Sequence, residues 1–142
     1  MASAVYPNMV ANACKADLPL DSGDVKVLLY DNADGAYDAS DNDVADLVAA
    51  GISAARSAAL GSKTFTVAGN VFTFDAANGT ISACGAGDEM DRALVYYDPG
   101  TGDANCLLIA DLALASPITP NGGDIALAFD DGGIFTVTCT PA

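Results

Sequence analysis

In DVKVLLYD (residues 24–31), Val25, Val27 and Leu29 fall on one face and Lys26, Leu28 and Tyr30 on the other, a period of two that predicts a strand. Before it, MVANACKAD (residues 9–17) has the pattern of a short helix or ordered arm, ended by Leu18-Pro19. After it, DNADGAYDASDND (residues 31–43) is a polar, acidic loop. VADLVAAGI then predicts a short helix, with Asp43 as N-cap and Gly51 as its stop. From about Lys63 the pattern is β almost throughout. SKTFTV and VFTFDA flank Ala68-Gly69-Asn70, a compact hairpin signal. ALVYYD and CLLIADLAL flank PGTGDAN, a second hairpin with a longer loop. DIALAF and GIFTVTC flank Asp130-Asp131-Gly132, which predicts a third. Closely spaced strands with turn signals between them predict a mainly β fold. The expectation is a compact antiparallel β-sandwich or partly closed β-barrel, with one or two short helices near the N-terminal half. Its parts are an N-terminal arm or short helix (1–19), a single β domain (20–135) and a C-terminal tail (136–142).

Length and composition refine this picture. A chain of 142 residues is one domain, and at this size folding typically buries roughly 68% of the unfolded chain's surface. A sizeable core therefore needs no metal or disulfide to form. Asp111 and Pro117 interrupt the most apolar run, so no membrane span is expected. The start, MASAVYPNMV, lacks the basic and apolar regions of a secretory signal. The formal charge of −14 comes from 19 acids, all Asp except Glu89, against five bases. Such a surface repels phosphate and has no basic patch, which argues against nucleic acid as a partner. The acids serve solubility, or they dock on a basic face. Asp is a poor helix former and a good turn residue, so its dominance suits a loop-rich β protein.

Candidate chemistry is sparse. With no His in the chain, Ser-His-Asp and Cys-His catalysis and His metal centres are excluded. GAGDE (residues 85–89) and GTGD (residues 100–103) lack the strand–glycine–helix context of a nucleotide site and read as turns. Asp21, in Leu20-Asp21-Ser22-Gly23, has the Asp-Ser-Gly core of aspartic proteases, which need a second such loop. A turn before a strand is the better reading, and no enzyme and no cofactor are expected. In the acidic loop, aligning Asp38, Ser40 and Asn42 to EF-hand ligand positions puts Asp43 where Gly belongs and Ala49 where the bidentate Glu belongs. That motif fails, leaving a solvated loop or an irregular calcium site. Cys14, Cys84, Cys106 and Cys139 include no CxxC pair, so a zinc site lacks its usual spacing. They are small thiols or disulfide partners, with reduced thiols the default in a chain without a secretory signal.

Several blocks in order resemble a family of small head proteins of tailed-bacteriophage virions, of the capsid decoration or cement type. They are LDSGDVKVLLYD (20–31), VADLVAAGI (44–52), AALGSKTFTVAGNVFTFDAAN (58–78), RALVYYDPGTGDANCLLIADL (92–112) and PITPNGGDIALAFDDGGIF (117–135). The last two are the most specific. The resemblance implies a structural virion protein, made in the host bacterial cytoplasm, that decorates the outer capsid surface and bridges neighbouring capsid subunits. Its partners would be the major capsid protein and neighbouring copies of itself, as a homo-oligomer and conceivably a trimer. No active site carries over. The four cysteines and the residues after Phe135 depart from the family pattern. They raise two readings: that Cys14 and Cys139 meet across subunits as disulfides, or that Cys84 and Cys106 are buried core thiols and the terminal pair is simply free. Residues 1–15 and 136–142, poor in charge, are candidate arms.

Two other readings compete. One is a tail, neck or fibre-base protein built on the same domain. The other is a small carbohydrate- or receptor-binding β module, against which stands the absence of Trp. Tyr96-Tyr97 should point to opposite faces of a regular strand.

Overall fold

The computed structural model describes residues 3–35, 37–49 and 55–140. The fold is mainly β, built from open antiparallel sheets with two helices and no closed barrel among the described residues. The central sheet has five strands in the order β1-β8-β7-β2-β3. These are β1 (Ala4–Val5), β8 (Leu107–Ile118), β7 (Met90–Tyr97), β2 (Val25–Tyr30) and β3 (Ala55–Arg56). A second sheet, β10-β5-β4, comprises β10 (Phe135–Thr138), β5 (Val71–Asp75) and β4 (Thr64–Ala68). A third pairs β6 (Gly79–Ile81) with β9 (Ile125–Leu127).

The alternation in β2 sets the layering. Val25, Val27 and Leu29 enter one core, shared with Phe74 and Phe135 of the second sheet and Ile81 and Leu127 of the third. Leu28 and Tyr30 enter another, with Leu94 and Tyr96 of β7 and Val44 and Leu47 of the second helix. The middle of the central sheet is therefore buried on both faces, which is why β2, β7 and the first half of β8 read as nearly unbroken apolar runs. Tyr96 lies in the second core, while Tyr97 packs on the first, as strand alternation requires.

The helices follow local rules. Helix α1 (Pro7–Cys14) begins with Pro at its first turn, where the missing N–H costs nothing. It starts and ends earlier than the 9–17 expectation. Helix α2 (Val44–Ala49) is capped by Asp43, whose carboxylate accepts from Ala45 N at 3.0 Å. Asp46 reaches back to Asn42 N at 2.9 Å and Asp43 N at 3.3 Å, a reciprocal cap. Gly51, the expected stop, lies outside the described residues.

Two expected hairpins form. β4 and β5 pair with Ala68 opposite Val71 across Gly69-Asn70, and Gly69 supplies the positive φ of 62° that the turn requires. β7 and β8 pair from Tyr97–Leu107 outward, their loop tightened by a short 3-10 turn (Asp103–Asn105). The third hairpin does not form. Residues 130–133 do turn, with Gly133 N donating to Asp130 O at 2.9 Å. However, β9 pairs with β6, and β10 pairs with β5. Sequence adjacency lost to the sheet face: β10 places Phe135 opposite Phe74, and Phe74 lies opposite Phe65. The ring centroids stand 5.2 and 5.1 Å apart, an aromatic row that a local β9–β10 pairing would forfeit.

Among the described residues, parts of both expected arms pair with or pack on the rest of the chain. β1 pairs with β8, and Tyr6 after it is fully buried in the second core. Met9 of α1 joins the first core. β10 carries the domain boundary past 135 to Thr138.

Candidate functional site

Each residue singled out by sequence has a definite place. Asp21 is exposed in the turn before β2, its carboxylate accepting from Ser22 N at 2.8 Å. The adjacent Gly23 permits close approach: a Cβ there would lie 2.5 Å from Tyr97 Cε2 and 2.7 Å from Pro19 O. The Asp-Ser-Gly sequence thus makes a tight turn against β7. In the acidic loop the carboxylates bond their own backbone. Asp31 accepts from Ala33 N at 2.8 Å, and Asp38 from both the N–H and the hydroxyl of Ser40. The bonds from Ser40 hold Asp38 below the usual carboxylate range, while burial, with the neighbouring Asp38 and Asp46, pushes Asp41 up. No metal-holding group of three or more Cys, Asp or Glu side chains occurs among the described residues.

All four cysteines are free thiols, Cys14 and Cys139 exposed, Cys84 and Cys106 buried. Cys14 ends α1, and Cys139 follows β10, its N–H donating to Asn70 O at 2.8 Å. Burial, then the charge of Asp98, pushes the Cys106 thiol up to about 11. Cys84 exchanges backbone hydrogen bonds of 2.9 Å with Gly122 and Gly123. That exchange explains the PNGGD sequence (residues 120–124): its turn is held by Asn121 Oδ1 on Gly123 N, and Asp124 accepts from Ala83 N at 2.8 Å. This turn fastens the end of β8 to the β6 edge of the small sheet. No helix among the described residues is long and apolar enough to cross a membrane.

Sequence reasoning missed the most concentrated polar group in the molecule. Arg92 of β7 and Asp111 of β8 form an ion pair with side chains 2% and 0% exposed. Arg92 Nε donates to Asp111 Oδ1 at 3.2 Å and Nη2 to Oδ2, while the Tyr30 hydroxyl donates to Oδ1 at 3.0 Å. The signal was one charge inside each of two adjacent apolar strands. Two further ion pairs among the described residues, Lys26–Asp98 and Arg56–Asp103, sit at the rim of the central sheet. Arg56 also lies over the Tyr96 ring, 5.9 Å from its centroid.

Two surface features stand out against this acidic chain. The first is β4, an edge strand of sequence TFTVA that carries no charge and no proline. Its Val67 is 73% exposed, the most exposed large hydrophobic side chain among the described residues. The second is an open groove of about 650 Å³ with Ser3 to Pro7 on one wall and Gly133 to Thr138 on the other. Its walls contain the terminal strands of two sheets, β1 and β10. None of its lining residues is charged, although the chain carries −14 overall. The two features meet on one sheet face, where Val67, Phe72 and Val137 form a cross-strand row beyond the buried phenylalanines. Val10, the other exposed large hydrophobic, lines the same groove as Val137. Protein-family models, curated proteins and solved structures all give no match to this chain.

Proposed function

We propose that this chain is a structural virion protein that decorates or cements the outer surface of a tailed-phage capsid by bridging neighbouring capsid subunits. It is made in the host cytoplasm, acts without a cofactor and catalyses no reaction. Its partners are the major capsid protein and neighbouring copies of itself. The observation that carries this reading is the placement of charge: an acidic scaffold leaves two sheet-edge features uncharged, β4 and the β1–β10 groove. Unpaired strand edges accept a neighbour's backbone directionally. Many copies of such a modest contact on one shell add avidity without any single strong bond. The resemblance of the PITPNGGDIALAFDDGGIF block to head proteins supplies the setting. Exposed Cys14 and Cys139 are accessible to a second chain for cross-linking, whereas buried Cys84 and Cys106 are not.

The test is mass spectrometry of particles of the encoding virus, separated into heads and tails, with and without reductant. High copy number with heads is the expected result, and a reductant-sensitive ladder would locate intersubunit disulfides. Recovery with tails in a few copies, or absence from particles, overturns the capsid assignment.

A further inference from the structure

Among the described residues, the sheet β10-β5-β4 ends on both sides in an edge with no further strand, β4 of five residues and β10 of four. Each edge offers a row of free N–H and C=O groups that only another strand can satisfy in register. Soluble proteins guard such edges with charge, proline or a bulge. β4 has none of these: its register against β5 is unbroken from Thr64 to Ala68. Val67 projects from it into solvent. At the opposite edge, β10 borders a groove with an apolar lining that includes Val10 and Val137. One feature is a strand paired on one side and open on the other, and the second is a slot beside a strand edge.

We infer that β4 of one copy of this chain docks on the β10 edge of the next copy, with Val67 entering the groove between β1 and β10. The occupant is a second copy because each chain carries both halves of the contact, the uncharged β4 edge and the uncharged slot beside β10. Two chains of charge −14 repel wherever acids face each other, and the β4 edge and this groove are surfaces where no acid is present to do so. The contact is head-to-tail: the docking strand and the receiving slot are different surfaces, so each bound copy still presents one of each. Such a contact closes into a ring or runs on as a chain, according to the rotation between copies. The three-stranded sheet continues across it as β10-β5-β4 followed by β10 of the neighbour. This deepens the capsid reading, naming the contact between copies, and rests on it only for its biological setting.

The test uses the free protein in sedimentation equilibrium and light scattering, up to about 1 mM, a weak affinity by ordinary standards. Wild type should exceed the 14.2 kDa monomer. Val67→Asp, which spoils the strand, and Val10→Asp, which spoils the slot, should each remain monomeric. Both side chains are exposed, so circular dichroism should show an unchanged fold. Mixed one to one, the two variants should form a dimer and nothing larger, because one intact strand and one intact slot remain. A monomeric wild type overturns the inference. So does a mixture that stays monomeric when wild type self-associates, which would indicate like-with-like edge pairing. Neither result bears on whether the protein travels with heads, and loss of head association would leave the mixing result standing.

Discussion

Arg92 and Asp111 meet diagonally on the β7–β8 ladder inside the protein, Arg92 standing opposite Ala113 and Asp111 opposite Leu94, with two hydrogen bonds between them and the Tyr30 hydroxyl on the same carboxylate. The three residues come from β7, β8 and β2, the strands at the centre of the main sheet. A buried ion pair is weak evidence of stability in itself, since desolvation offsets much of the attraction. Removing one partner is different, because the remaining buried charge loses its main compensation.

Asp111→Ala should therefore destabilise the fold by about 3–5 kcal/mol, read as a lower urea midpoint at an unchanged slope. The double variant Arg92→Met/Asp111→Leu should lie closer to wild type than Asp111→Ala does. A loss below about 1 kcal/mol in the single variant would mean that Arg92 finds adequate solvation without its partner.

Alkaline pH should weaken the same region. Burial first, and then the charge of Asp111, raises the Tyr30 hydroxyl above the ordinary phenol range. Burial, followed by Tyr30 and Asp111, does the same for Tyr6. For a group whose folded pKa is raised, the stabilisation is fully present below the unfolded pKa of about 10 and disappears as pH rises towards the folded value. Stability should hold to about pH 10 and decline above it. Ultraviolet titration should show these tyrosines ionising only as the fold opens. Tyr30→Phe should flatten the decline, and a decline unchanged in Tyr6→Phe/Tyr30→Phe would assign it to other groups.

The alternation of β2 and the glycine turns were readable because they are local: period two and a positive φ are properties of a few adjacent residues. The β4–β5 and β7–β8 hairpins belong to the same class. The 130–133 turn was equally readable, but the partners of the strands it joins were not. β10 goes to β5 because Phe135 completes a row with Phe74 and Phe65, a contact spanning about half the chain. Low charge in residues 1–15 carried two meanings, a free arm or a buried segment, and only the docking of Tyr6 decided between them. Asp111 was visible in the sequence as an interruption of an apolar run. Its role required knowing that Arg92 lies across the ladder.

Thiol accessibility offers a direct check on the packing. Cys14 and Cys139 are exposed, and Cys84 and Cys106 are buried. Under native conditions, a thiol reagent should modify the exposed pair quickly and the buried pair only through opening of the fold. Denaturant should release all four. Rapid native modification of Cys84 would place the 82–89 segment away from the PNGGD turn that now covers it.

The turn into β10 gives the last prediction, because it links stability to the edge inferred to receive a neighbour. Gly133 has a φ of +93°, a conformation that other residues adopt only at a cost of about 1–3 kcal/mol. Space is short as well: a Cβ there would stand 2.6 Å from Thr73 Cγ2 and 2.9 Å from Phe74 O. The neighbouring Ile134 N–H donates to that same Phe74 carbonyl at 2.8 Å, so the clash falls where β10 is fastened to β5. Gly133→Ala should lower the thermal midpoint and speed hydrogen exchange first in residues 134–138, ahead of the central sheet. It should also weaken self-association, since the slot is bounded by β10. Gly61→Ala, where nothing lies within 4 Å, provides the control and should be nearly neutral. If Gly133→Ala leaves exchange in β10 unchanged, the backbone at this turn is not what seats the strand. If it loosens β10 but self-association persists at wild-type strength, the neighbour docks elsewhere.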